Sequence, residues 1–175
     1  MPSLRNALWR IHQRSGSSFV VTNAIDLTLR SSVTVDFWEL TKLALKASHG
    51  AMLEVQTAER LCRSGELLPT WPDQWVVIER ERFRQLRLNA LETLSKRFAE
   101  DGLYGLAVEC AFAAVTSAPL RESAHRRLIQ AYLGQANVDE ALRNFRSYCQ
   151  QLVKHAGPRA QPSSAFVELM RPWLH

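Results

Sequence analysis

Apolar residues along this chain change their rhythm near residue 35. Ahead of that point Leu4, Leu8 and Ile11 recur at intervals of four and three, the spacing of one helix face, and predict a short helix over about 3–14. Gly16 and the neighbouring serines end it. Phe19 to Thr22 and Ile25 to Leu29 alternate as strands do, predicting a hairpin that turns at Asn23-Ala24, with Val33-Thr34-Val35 as a third short strand. Asn tolerates positive φ and Ala does so poorly, so a tight two-residue loop fits this turn badly.

Beyond Val35 the pattern is helical to the end. Asp36 is placed as the N-cap of a helix carrying Phe37, Leu40, Leu43, Ala44 and Ala47, closed by Gly50. A second helix is predicted over about 51–63. Pro69 and Pro72 then forbid helix, and the apolar residues among Leu67, Leu68 and Trp71 call for an ordered loop packed on its neighbours. From Asp73 to Glu100 runs the longest helical pattern, with Trp75, Phe83, Leu86, Ala90, Leu94 and Phe98 on one face and Leu88 and Leu91 widening it. Its Glu79/Arg82 and Glu81/Arg84 pairs, three residues apart, mark a face turned to solvent.

The second half repeats. Phe98 and Tyr132, Ala107 and Ala141, and Ala111 and Phe145 each stand 34 residues apart, the period of a tetratricopeptide helical hairpin. Small residues at Ala107, Ala111 and Ala114 let one helix of a unit approach the other, while Leu94, Phe98, Leu128 and Tyr132 fill the space between them. Gly102 turns the chain, and Pro119 ends the second helix. A single hairpin cannot bury its apolar face alone, so the helices over about 36–63 are expected to supply a third unit. The fold class is therefore mainly α: tetratricopeptide-like hairpin repeats forming an α-solenoid, preceded by a small helix and β-hairpin. Stacked hairpins usually serve recognition.

Composition adds bounds. A chain of 175 residues with 46% hydrophobic and 22% charged residues is ordinary globular material. No apolar run reaches the roughly 20 residues of a membrane span, and residues 1–6 lack the layout of a secretory signal, so a cytoplasmic location is expected. Cys62, Cys110 and Cys149 are odd in number and each lies in an apolar helical pattern, which predicts reduced packing cysteines rather than a disulfide framework. The net charge of +5 permits nucleic-acid contact without requiring it.

Five stretches carry a resemblance: Val35-Asp36-Phe37-Trp38; Gly65 to Pro69 with Trp71 and Trp75; Glu79 to Arg82; Leu86 to Leu91; and, most diagnostic, Ala118-Pro119-Leu120-Arg121-Glu122-Ser123-Ala124-His125-Arg126-Arg127-Leu128. Over residues of about 33–155 the chain resembles the bacterial transcriptional activator domain of SARP-type and AfsR-like regulators. The resemblance implies a helical regulatory domain that follows a winged-helix DNA-binding domain. Residues 3–11 resemble the recognition helix of that winged domain and residues 19–29 its wing, while its earlier strands and first two helices have no counterpart here. Three regions are therefore expected: 1–32 as winged-helix remnant, 33–155 as activator domain, and 156–175 as C-terminal tail and helix.

Candidate contacts follow. Arg5, Asn6, Arg10 and Arg14 have the donors and acceptors that phosphates and base edges require. The competing reading of their helix is a remnant docked on the repeats or used in a dimer contact. Arg121, Arg126 and Arg127 are candidates for an acidic partner or a second domain, against plain solvation and pairing with Glu122. The five histidines never fall at metal-ligand spacing with one another or with a cysteine, and no nucleophile elbow or phosphate loop occurs, so no metal, cofactor or catalysis is expected. His125 lies at a repeat core position, where a hydrogen-bonded structural role is expected. The expected function is a regulatory, protein-interaction module of a transcription activator, with a protein partner or a second copy as its ligand. The rival is a free-standing repeat adaptor without DNA binding that sequesters partners.

Overall fold

The computed structural model describes residues 4–15, 19–23 and 25–174, and resolves into two compact units, Met1–Glu39 and Leu40–His175.

In the first unit, helix α1 spans Leu4–Ser15. Strands β1 (Val20–Thr22) and β2 (Leu27–Leu29) pair antiparallel, with Val20 opposite Leu29 and Thr22 opposite Leu27. Four residues, rather than two, connect the paired ends. Asn23 explains the difference: its Oδ1 accepts from the backbone N–H groups of Ile25 at 2.9 Å and Asp26 at 2.6 Å, so the side chain closes its own turn. Ala24 lies outside the described residues. The third strand does not form. The Val35 carbonyl instead accepts from the N–H groups of Trp38 and Glu39 and opens helix α2, Asp36–Ser48. Val35 thus takes the cap position assigned to Asp36, whose carboxylate accepts from the Phe37 N–H at 2.7 Å inside the first turn.

The second unit holds the core. Helix α3 spans Val55–Arg63, α4 Gln74–Glu100, α5 Tyr104–Ser117, α6 Glu122–Gly134, α7 Val138–Ala156 and α8 Ser164–Met170, the last followed by a single 3-10 turn. Helix α3 begins four residues later than predicted. Gly50, at φ +84°, and the Ala51 N–H bonded to the Lys46 carbonyl finish α2, and residues 51–54 lead out of that cap. On α4, Phe83, Leu88, Ala90, Leu91, Leu94 and Phe98 are buried as predicted, whereas Trp75 is 57% exposed and Val76 is buried in its place. One residue of register at a helix start, just past a proline-bounded loop, separates the two.

The 34-residue repeat is present in the backbone. Gly102 and Ala136 stand 34 apart in sequence, and both adopt left-handed φ, +73° and +59°. After each, the next N–H reaches back five residues: Leu103 to the Phe98 carbonyl at 2.7 Å and Asn137 to the Tyr132 carbonyl at 2.9 Å. This is the same helix-closing motif, written once as Gly-Leu and once as Ala-Asn. The alanines predicted to allow close approach, Ala107, Ala111 and Ala114, are fully buried, and so is Ala141, 34 residues after Ala107. Helices α3 to α5 share one apolar cluster around Leu61, Leu91, Leu94 and Phe98. A second cluster joins α6, α7 and α8 through Ile129, Phe145, Tyr148, Phe166 and Met170, so α8 covers the end of the repeat. The fold is a mainly α helical repeat with a small two-stranded hairpin.

Candidate functional site

Three places collect the polar side chains that can meet a partner. On α1, Asn6, Arg10 and Arg14 follow one another at intervals of four and so share a face. Arg5 lies about 100° round the helix from Asn6. All four are exposed. Leu8 and Ile11, on the opposite side, line with Phe19 and Val20 a shallow cleft of about 330 Å³ between α1 and β1. The unit therefore offers a basic helix face backed by an apolar one.

At the start of α6 the predicted basic trio divides. Arg121 is fixed inside the fold: its Nε lies 2.5 Å from Glu92 Oε1, and its other nitrogens donate to Gln85 Oε1 at 3.1 Å and Asn89 Oδ1 at 2.7 Å, all three on α4. The acid it pairs with is Glu92 rather than the adjacent Glu122, which accepts from the Ser163 N–H at 2.8 Å and holds the start of α8. Arg126 and Arg127 are half-buried on α6, with Arg127 donating to Gln130 at 3.0 Å. His125, 1% exposed, sets Nε2 2.9 Å from the Pro119 carbonyl and Nδ1 3.0 Å from Asn144 Oδ1. A carbonyl only accepts, so Nε2 carries a proton. The ring ties the α5–α6 turn to α7, the structural role expected of it.

The third place is a cleft of about 260 Å³ bordered by Arg80, Arg84, Arg87, Phe83, Glu66 and Ser117. Its guanidinium groups are braces. Arg80 donates to the Leu67 carbonyl at 2.8 Å, to the Trp71 carbonyl at 3.2 Å and to the Leu68 carbonyl, which orders the double-proline loop. Arg84 makes a two-pronged pair with Glu81 at 2.8 and 2.9 Å, and that bonding, with Gln85, holds the exposed Glu81 carboxyl down at about 2. Arg87, only 7% exposed, donates to the Leu61 carbonyl at 2.8 Å, the Cys62 carbonyl at 2.7 Å and Ser117 Oγ at 2.6 Å. These carbonyls close α3, where the helix leaves its last acceptors without internal partners.

Stretches of the resemblance within Leu40–His175 supply braces of the helical repeat. Arg80 orders the loop after Gly65, and the stretch from Pro119 to Leu128 places His125 and Arg121. A model of the bacterial transcriptional activator domain matches residues 35–171. The chain belongs to this family. The match runs from the start of α2 through α8, so in this bacterial transcriptional activator domain the C-terminal helix is part of the matched region together with the repeats. The family is a regulatory one, which makes the chain part of a bacterial transcription regulator of activator type. No curated protein matches the chain. Among the described residues, no helix of this activator domain is long and apolar enough to cross a membrane, and no group of three or more potential metal ligands converges.

Two features of the structure lie outside the sequence-based expectations. Arg87 was legible: it stands four residues after Phe83 and four before Leu91, a charge inside the apolar stripe of α4. The approach of Cys62 to Cys110, 48 residues apart and 3.6 Å between sulfurs, had no local signal, because it depends on how α3 lies against α5.

Proposed function

We propose that this chain is the regulatory, protein-interaction region of a SARP-type transcription activator, whose tetratricopeptide-like repeats bind a protein partner or a second copy and thereby govern how a DNA-binding element meets its promoter. The observation that carries the reading is the repeat itself. Two hairpins with the same turn, in a family of transcriptional activator domains, form a stacked surface of the kind that other repeat proteins use for recognition. The proposed organisation keeps residues 1–32 as winged-helix-like, 33–155 as the activator region and 156–175 as its C-terminal closure.

Within this reading Arg5, Asn6, Arg10 and Arg14 are the DNA contacts, supported by their exposure on α1 opposite its apolar side. Arg126 and Arg127 are the partner contacts. Arg121, engaged with Glu92, supports that surface from beneath rather than reaching out of it. No chemistry is assigned to the chain, and the proposed location is the cytoplasm, where a promoter is found.

The test is binding of the purified chain to promoter and scrambled duplexes across a salt series. Preference for promoter at physiological salt is the expected result for a reading helix. Substituting Arg5, Arg10 and Arg14 together by Ala then reduces the salt slope of binding by about 3, one unit for each phosphate contact removed. Equal affinity of the native and triple-variant chains for both duplexes refutes the DNA assignment and favours the adaptor that acts through proteins alone.

A further inference from the structure

Cys62, near the end of α3, and Cys110, in the middle of α5, bring their sulfurs to 3.6 Å. Both are free thiols. A disulfide needs about 2.05 Å, so roughly 1.5 Å of approach separates the pair from a covalent link. Cys110 belongs to the apolar cluster of α3 to α5 and Cys62 packs against it, yet both also border open space. Both cysteines line a cleft of about 240 Å³ with Glu59, Arg63, Leu106 and Glu109, and Cys62 also lines a second cleft with Arg87, Phe112 and Ser117. The first has room for a peroxide, a molecule little larger than water. Cys110 is 2% exposed, whereas Cys62 is half-buried. The two thiols are therefore unequal in access.

They are unequal in acidity as well. The hydrogen bond with Cys110 pulls the Cys62 thiol below its usual value, and the nearby Arg87 guanidinium adds to this against the opposing effects of burial, Glu109 and Glu59. The same contact and burial push Cys110 up. Reactive and resolving roles follow from that division.

We propose that Cys62 and Cys110 form a peroxide-reactive dithiol, a modification site at which Cys62 is oxidised first and Cys110 resolves it to a reversible disulfide between α3 and α5. In the first step the Cys62 thiolate attacks one peroxide oxygen. The O–O bond breaks, Cys62 becomes a sulfenic acid, and the other oxygen leaves as water after taking a proton. In the second step the Cys110 sulfur attacks the sulfenic sulfur, the S–OH bond breaks, and a second water departs with the Cys110 proton. Two thiols and one hydrogen peroxide thus give one disulfide and two waters. A thiol reductant reverses the link by exchange. The proposal stands apart from the DNA and partner assignments, because it uses none of their residues.

The link also has a mechanical reach. The Cys62 carbonyl is one of the acceptors of Arg87, so drawing Cys62 toward Cys110 pulls on the brace that holds the end of α3 to α4.

The test is a pulse of stoichiometric hydrogen peroxide on the reduced native chain at neutral pH, read by thiol titration, intact mass and peptide mapping. Titratable thiols are expected to fall from three to one, the mass to drop by about 2 Da, and the mapped link to be Cys62–Cys110, all restored by dithiothreitol. Cys149→Ser is expected to keep the link and titrate to zero. Cys110→Ser, checked for native helicity by circular dichroism, is expected to trap a sulfenic acid at Cys62 with no internal link. Three surviving thiols, a link through Cys149, chain-to-chain linkage, or oxidation that starts only after the helices melt would each overturn the proposal.

Discussion

Replacing Arg87 by Met keeps most of the apolar stem and removes the guanidinium. Its loss is not uniform across the three acceptors. Ser117 Oγ still donates to the Ala113 carbonyl at 2.9 Å, and the Leu61 carbonyl still accepts from Ser64 Oγ at 2.9 Å, so the orphaned group is the Cys62 carbonyl. A hydrogen bond to a charged group contributes about 1.5–3 kcal/mol. The cation at the C-terminal end of α3 adds about 0.3–1 kcal/mol against the helix dipole. Against these stands the relief of returning a guanidinium to water in the unfolded chain, because burial without a carboxylate partner disfavours the charged form here. The balance is a loss of about 2 kcal/mol, or roughly thirtyfold in the unfolding equilibrium. Urea unfolding followed by circular dichroism at 222 nm measures it, with Arg87→Lys expected to fall between, since an ammonium keeps the charge but not the planar fork. If Arg87→Met equals or exceeds the native chain in stability, the guanidinium is not a brace, and the hydrophobic stem alone explains its burial.

Three further outcomes follow from the same geometry. Ala136→Gly is expected to stabilise by about 0.5–1 kcal/mol, because it relieves an Ala held at φ +59°, while Gly102→Ala at the matching turn destabilises by about 1 kcal/mol; thermal melts of both read the sign, and a shared sign would contradict the repeat assignment. Arg121→Ala is expected to cost about 1–2 kcal/mol, since it strands a mostly buried Glu92, whereas Arg126→Ala and Arg127→Ala stay within about 0.5 kcal/mol of native and weaken partner binding instead. Alkylation of Cys62 is expected to rise with pH at a midpoint below the ordinary thiol value and that of Cys149, raised by burial, above it. Since only the thiolate reacts, mass-resolved rates against pH give the order directly, and a reversal would remove Cys62 as the reactive partner.

The repeat is legible in the periodicity of the sequence, because a helical hairpin is a local object. Leu94 and Phe98 must face Ala107 and Ala111 across one turn, and the spacing alone says so. Gly102 is legible as that turn from its residue type, and Ala136 only from standing 34 residues after it, since nothing in an alanine itself advertises a left-handed backbone. Likewise Asn23 could be seen as a turn residue, yet the length of the turn was settled by its side chain bonding forward to Ile25 and Asp26. The basic trio shows the limit for sites. Arg121, Arg126 and Arg127 look alike in sequence, and only the arrival of Glu92, Asn89 and Gln85 from α4 sets the first apart. Long-range encounters of this type, including that of the two cysteines, are products of helix stacking and leave no trace in local spacing.

The segment ahead of α2 has a different character. Among its described residues, not one side chain from Leu4 to Val35 is buried. A short helix and a two-stranded hairpin without a sealed interior have almost nothing to lose when they open, whereas the amides around Leu91, Ala107 and Leu128 are released only by disrupting the whole stack. Hydrogen exchange along the chain therefore should show a steep gradient, from near free-peptide rates in the hairpin to global protection in α4 and α5. The amino-terminal segment is thus the part whose order another molecule can most easily set, so that an occupied DNA or protein surface would be registered first as a gain in protection there.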